Sequence, residues 1–198
     1  MKKSELNRVW MSSTGLEFEA SFLDGRVVVL VGDITNQGVS AIVNAANSTL
    51  LGGGGVDGAI HRKGGPAILR ECREIRQTLY PNGLPTGEVV LTTGGDRPAK
   101  FVIHTVGPIY GRNKDDEANL LASCYQKSLQ LAFENRLATI AFPSISTGAF
   151  GYPRDEAAAI SSKAIANSMA GCSNIEQVRL VFFQPSDARV FLQYQIFE

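Results

Sequence analysis

The run Ser40-Ala-Ile-Val-Asn-Ala-Ala46 carries no charge; it is followed by four consecutive glycines at 52–55 and then by the helical pattern Val56-Asp-Gly-Ala-Ile-His-Arg-Lys-Gly64. A short uncharged run of this kind has the pattern of a strand buried on both faces, which occurs where helices cover both sides of a sheet. The same order recurs later: the apolar run Leu137-Ala-Thr-Ile-Ala-Phe-Pro143, the loop from Ser144 to Gly151, and a helical pattern over 154–170. Two such units point to an α/β chain with helices on both faces of its sheet.

The remaining segments fit that class. Residues 16–22 and 26–31 are two strand-like runs joined by an Asp24-Gly25 turn, and strands are also predicted near 87–94, 100–107 and 177–183. Helical spacing marks 66–79, where Pro66 suits a first turn, then 117–136, and a closing segment around 187–195. No composition break or repeat divides the chain, and 198 residues fit one domain. The expected organisation is a polar, loose segment over 1–14 and a single domain over 15–198.

Nineteen Lys and Arg balance nineteen Asp and Glu. Zero net charge argues against a broad nucleic-acid footprint and leaves any anionic ligand to directed backbone groups. Three cysteines, Cys72, Cys124 and Cys172, form no pair at metal-ligand spacing and make a poor disulfide framework. Neither a metal nor a cofactor is expected. With no apolar leader and no segment of membrane-span length, the expectation is a cytoplasmic protein with no membrane partner.

In an open α/β sheet, ligands bind beyond the carboxyl ends of strands. Three loops hold that position: Gly32-Asp-Ile-Thr35, the stretch after residue 46, and Ser144 to Gly151. Glycines in the second and third let a ligand reach bare backbone, and the helix after each adds its positive end, which together suit a diphosphate. Gly53-x-Gly55-x-x-Gly58 matches a dinucleotide fingerprint formally, but five residues separate the strand from the glycines and no acid ends a following strand at the required distance. A Walker loop is excluded because no Gly-Lys-Ser/Thr follows.

Asp33 suits either an exocyclic amine such as that of adenine or an N-cap. Asn44 and Asn47 suit sugar hydroxyls or turn caps. Asp57 and His61 lie four residues apart on one helix face, where Asp57 serves equally as a capping acid near the positive helix end. His61 also suits a hydrogen-bonded structural role, and His104, inside a strand pattern, reads as core. Phe150 and Phe183 offer rings for a sugar and a base, or ordinary packing.

Taken together, Gly32-Asp-Ile-Thr35, Asn44-Ala-Ala-Asn47, Leu50 to His61, Ile103 to Pro108 and Pro143 to Pro153 resemble the macro domain family, in its MacroD-type branch. The resemblance spans roughly 16–197. It implies a three-layer α/β/α sandwich with a mixed, mostly parallel sheet of about six strands, an ADP-ribose cleft, and hydrolysis of ADP-ribose esters. Under it Asp33 binds the adenine amine with the Ile34 amide assisting, and Phe183 lies against the base. Amides of Gly54, Gly55 and Val56, and of Ser146, Thr147, Gly148, Ala149 and Phe150, hold the pyrophosphate. Asn47 orients the distal ribose, Asp57 serves the chemistry, His61 supports it, and Phe150 packs beside ribose and water.

Lys63 stands where family members often have a small residue, and Phe150 where many have tyrosine. The implied activity is metal-independent removal of mono-ADP-ribose from acidic side chains of proteins and deacetylation of O-acetyl-ADP-ribose. The rival readings are an ADP-ribose reader without chemistry and, more remotely, a nicotinamide-dependent dehydrogenase.

Overall fold

The computed structural model describes residues 19–112 and 116–197. The expected loose segment 1–14 and the first part of the expected first strand lie outside them. Among the described residues, seven strands form one sheet: β1 (Glu19–Phe22), β2 (Val27–Val31), β3 (Ala41–Ala46), β4 (Val89–Thr93), β5 (Phe101–Val106), β6 (Thr139–Phe142) and β7 (Gln177–Phe182). The sheet order is β1-β2-β7-β6-β3-β5-β4. The inner strands β2, β7, β6, β3 and β5 pair in parallel, while β1 and β4 join the two edges antiparallel. The sheet is therefore mixed and mostly parallel, as expected, with seven strands rather than about six.

Among the described residues five α-helices cover it: α1 (Gly55–Gly64), α2 (Pro66–Thr78), α3 (Glu117–Glu134), α4 (Arg154–Met169) and α5 (Pro185–Tyr194). Side-chain alternation along β3 splits the core in two. Ala41 and Val43 face a cluster with Leu121 and Leu129 of α3, Ile165 of α4 and Phe191 of α5. Ile42 and Ala46 face Ile60 of α1 and Ile68 and Cys72 of α2. Burying Leu- or Ile-sized side chains on both faces stabilises the sandwich by about 1.5–3 kcal/mol apiece, so neither helical layer is dispensable. No described helix is long and apolar enough to cross a membrane.

The parallel core puts the carboxyl ends of β2, β3, β5, β6 and β7 at one edge of the sandwich. Because β3 and β6 are neighbours, the glycine loop after β3 and the 143–151 loop after β6 emerge side by side. Close contact there depends on Gly107 after β5, where a Cβ would come within 2.1 Å of Ser146 Oγ.

Candidate functional site

A cleft of about 680 Å³ opens across these strand ends. Its walls include Asp33, Ile34 and Thr35 after β2, Asn47 after β3, Gly54 to Asp57 at the start of α1, Ser146 to Phe150 after β6, and Phe183 after β7. A Cβ built on Gly54, Gly55 or Gly148 would meet nothing within 4 Å, so these backbones are bare. Gly55 has φ +56° and so needs glycine, as does the tight approach at Gly58, where a Cβ would lie 2.4 Å from the Gly53 carbonyl oxygen. Ser146, 6 % exposed, holds a left-handed φ of 65°, and its Oγ has no hydrogen-bond partner among the described residues. A buried hydroxyl lining a cleft without a partner is a ready donor or acceptor for a ligand.

Asp33 is the N-cap of a single 3₁₀ turn, Ile34–Asn36. Its Oδ1 accepts from the Thr35 amide at 2.9 Å and from Thr35 Oγ1 at 2.5 Å. The other oxygen is ion-paired with Lys63 Nζ at 2.7 Å, and the same ammonium donates to Thr35 Oγ1 and Asn36 Oδ1. Partial desolvation pushes this carboxyl up, but the bonds from Lys63 and Thr35 outweigh it and hold it below its ordinary value. The cap and the cleft position are thus both occupied by one residue.

Asp57 is 4 % exposed and sits in the first turn of α1 without capping it. Its Oδ1 accepts from Asn44 Nδ2 at 2.7 Å, and its Oδ2 has a long contact, 3.4 Å, with Asn47 Nδ2. His61 Nε2 lies 3.4 Å from Oδ1, an ion pair only when the imidazole is protonated. Asn47 is fixed by donating to the Gly52 carbonyl at 3.0 Å and accepting from the Thr49 amide and hydroxyl. The carboxylate thus reaches the cleft wall with neutral amides for partners.

One expected contact needs correction. Asn44 is fully buried, and along β3 it points with Ile42 and Ala46 toward α1, beneath the cleft rather than into it. It supports Asp57 instead of touching a sugar. His61, expected only as support, lies outside the cleft lining and stands behind Asp57. Conversely, Arg62 and Arg154 line the cleft and were missed, along with Asp187, which pairs with Arg154 at 3.3 Å. Arg62 shares a helix face with Gly55 and Ala59, a spacing visible in the sequence, and Arg154 opens α4 directly after the third loop. An anion in this cleft would have cationic help that a net charge of zero conceals.

His61, Cys72 and His104 bring three metal-binding donor atoms within 4.8 Å of one another. Burial, with the charges of Asp57 and Glu71, pushes the Cys72 thiol up to about 12, so it is held as a neutral thiol. His104 Nε2 is 2.8 Å from Thr92 Oγ1, and Nδ1 takes a hydrogen bond from Asn44. Both imidazole nitrogens are therefore already engaged, which disfavours a metal at this cluster.

The comparisons with known proteins match this geometry. A family model described as Macro domain matches residues 43–161. The chain belongs to the macro domain family. It is 52 % identical to a macro domain-containing protein of Streptomyces coelicolor over 165 residues, 83 % of this chain and 94 % of that protein. Among solved structures, the Oceanobacillus iheyensis macrodomain with ADP superposes with a TM-score of 0.84 at 44 % identity, covering 90 % of this chain and 94 % of that one. The Trypanosoma brucei macrodomain in complex with ADP-ribose gives a TM-score of 0.77 at 38 % identity, covering 85 % and 68 %. The cleft at the strand ends is the candidate ligand site of this chain.

Proposed function

We propose that this macro domain binds ADP-ribose and hydrolyses its esters, releasing mono-ADP-ribose from acidic side chains of proteins and acetate from O-acetyl-ADP-ribose. The observation that carries the reading is Asp57, a buried carboxylate whose hydrogen-bond donors among the described residues are the Asn44 and Asn47 amides, set beside a run of bare backbone. Gly54, Gly55, Val56 and the 146–150 loop supply amides for a pyrophosphate, with Arg62 and Arg154 nearby. Asp33 accepts from the adenine amine, the Ile34 amide assists, and Phe183, 76 % exposed, stacks on the base.

The ribose then lies near Asn47 and Asp57, with Phe150 beside it. Reference carboxylates ionise near pH 4, so an Asp at neutral pH is a weak base that orients and polarises water rather than deprotonating it outright. Attack at the ester carbonyl or at the anomeric carbon uses the same placement. Turnover in labelled water separates the two by showing whether the oxygen enters the acid or the sugar.

The test is incubation with glutamate-linked mono-ADP-ribosylated protein, O-acetyl-ADP-ribose and a serine-linked control, with Asp57→Ala alongside. Loss of turnover with ADP-ribose binding retained is expected. Binding without turnover in the unmodified chain would make it a reader, and normal turnover in the variant would remove Asp57 from the chemistry.

A further inference from the structure

A chain of hydrogen bonds runs from the back of Asp57 into the sheet. Asn44 Nδ2 lies 2.7 Å from Asp57 Oδ1 and 3.1 Å from His104 Nδ1. His104 Nε2 is 2.8 Å from Thr92 Oγ1, which is 3.1 Å from the Thr93 carbonyl. Asn44 and His104 are register partners on β3 and β5, and both are fully buried.

The directions of these bonds determine one another. An ionised carboxylate only accepts, so Asn44 must turn its nitrogen, not its oxygen, toward Asp57. The second hydrogen of that nitrogen goes to His104, so Nδ1 there must carry a lone pair. Burial, reinforced by His61 and Arg97 and opposed by Asp57, holds the imidazole neutral with a pKa near 3. Its one proton therefore sits on Nε2 and is donated to Thr92, whose own hydrogen continues to the Thr93 carbonyl. One group of this chain of bonds stays unsatisfied: Asn44 Oδ1 is buried with no partner among the described residues. The carboxamide is thus held in place through its nitrogen alone, by Asp57 at one side and His104 at the other.

We propose that His104 is a positioning residue: by accepting from Asn44, it locks the carboxamide that aims Asp57, leaving Asp57 Oδ2 for water. Its kinetic consequence rests on the hydrolase reading above, whereas its structural content does not. With the acceptor at Nδ1 removed, Asn44 keeps one bond and its unsatisfied oxygen drives it to rotate. Rotation would set Oδ1 against the Asp57 carboxylate, two acceptors face to face. The carboxylate would then lose its short bond and its alignment, while the remote amides that hold a pyrophosphate would be untouched.

Two measurements test this. Nitrogen-15 NMR of the unmodified chain reads the imidazole tautomer directly; Nε2–H is expected across about pH 5 to 8, the range in which an unperturbed histidine titrates. An Nδ1–H tautomer or an imidazolium overturns the proposal, whatever the chain hydrolyses. In the kinetic arm, His104→Phe should lower kcat about ten- to a hundredfold, the scale of a misplaced catalytic group, with ADP-ribose Kd within about twofold. His104→Gln, with an acceptor for Asn44 and a donor for Thr92, should recover most of it. Unchanged kcat in His104→Phe, or equal losses in both variants, overturns the proposal. Where His104→Phe fails to fold, the tautomer and the Gln variant decide. If the unmodified chain turns over no ester, the hydrolase reading falls and the tautomer measurement still stands.

Discussion

Two aspartates border the same cleft in opposite surroundings. Asp33 has a side chain 34 % exposed, takes an ammonium at 2.7 Å and caps a turn. Asp57 is nearly buried, caps nothing, and is held by asparagine amides. Three donors occupy Asp33, two of them on one oxygen, so what it has left is passive acceptance. Asp57 receives one short bond, from a neutral group, and keeps Oδ2 for the cleft. Under the proposed function the same side chain is a recognition group in the first setting and a reactive group in the second, and the charge and direction of its partners decide which.

The sharpest way to break that contrast is Asp57→Asn. The carboxamide preserves shape and retains an oxygen for Asn44, but it places an NH₂ where Oδ2 was and cannot polarise water. Turnover should fall about a hundred- to ten-thousandfold, the range removed with an acid–base group. ADP-ribose affinity measured by calorimetry should stay within a few-fold, because the glycine loop and both arginines remain. A variant that turns over normally would erase the distinction between the two aspartates.

Acid separates the two sites by pH window. His104, which backs Asp57, has a folded pKa near 3 against 6.5 for an unperturbed ring. Between those values the unfolded chain binds a proton that the native chain refuses, so stability is fully present above 6.5 and is lost as pH falls toward 3. The slope approaches about 1.4 kcal/mol per pH unit, so that about 2 kcal/mol disappears between pH 6.5 and 5. Asp33 is also depressed, but relative to a carboxyl value of 3.8, so its contribution is lost only at lower pH. Urea melts at pH 7, 6 and 5 should show the loss, and His104→Gln should flatten it; parallel slopes in the two proteins would contradict the burial argument.

Much of this was legible in the sequence, and the failures have physical causes. Uncharged runs such as 40–46 and 137–143 revealed their strands because parallel strands here are buried on both faces. Asp57 and the glycine loop could be located because the loop joins the uncharged run 40–46 to a helical pattern and Asp57 stands in that pattern's first turn. Asn44 was misjudged because the Asn44-Ala-Ala-Asn47 motif drew attention to composition, whereas period-two alternation sends its side chain away from the cleft. His104 was rightly placed in the core, but its bond to Asn44 spans 60 positions and depends on β3–β5 register, which local pattern does not contain. The 3₁₀ turn after β2 was legible only as the N-cap alternative at Asp33, since Asp33 and Thr35 form it by side-chain bonding rather than by hydrophobic spacing.

At the recognition end, Phe183 should matter for binding and hardly at all for folding. It is the most exposed large apolar side chain among the described residues, whereas its neighbour Phe182 is 5 % exposed and packs on Phe191. Stacking on a base is worth about 1–3 kcal/mol, so Phe183→Ala should weaken ADP-ribose roughly tenfold. Its melting temperature should be unchanged, and ribose 5-phosphate, which has no base, should bind both proteins equally. Equal loss for both ligands would move Phe183 away from the base.

The smallest expected effect belongs to Lys63, and it bears most directly on the comparison of the two carboxylates. Its ammonium bonds Asp33, Thr35 and Asn36, so an adenine amine arriving at Asp33 meets an acceptor already shared with a cation. Both partners are more than a third exposed, so the pair contributes below about 1 kcal/mol to stability and is screened by salt. Lys63→Ala should therefore leave the melting temperature nearly unchanged. It should tighten ADP-ribose by about two- to fivefold at low ionic strength, the scale of one exposed ion pair, and the gain should shrink as salt screens the pair in the parent chain. If affinity falls instead, Lys63 holds Asp33 in its binding geometry rather than competing for it. In that case both aspartates would depend on a neighbouring donor for alignment, and the contrast between them would narrow to the donor's charge.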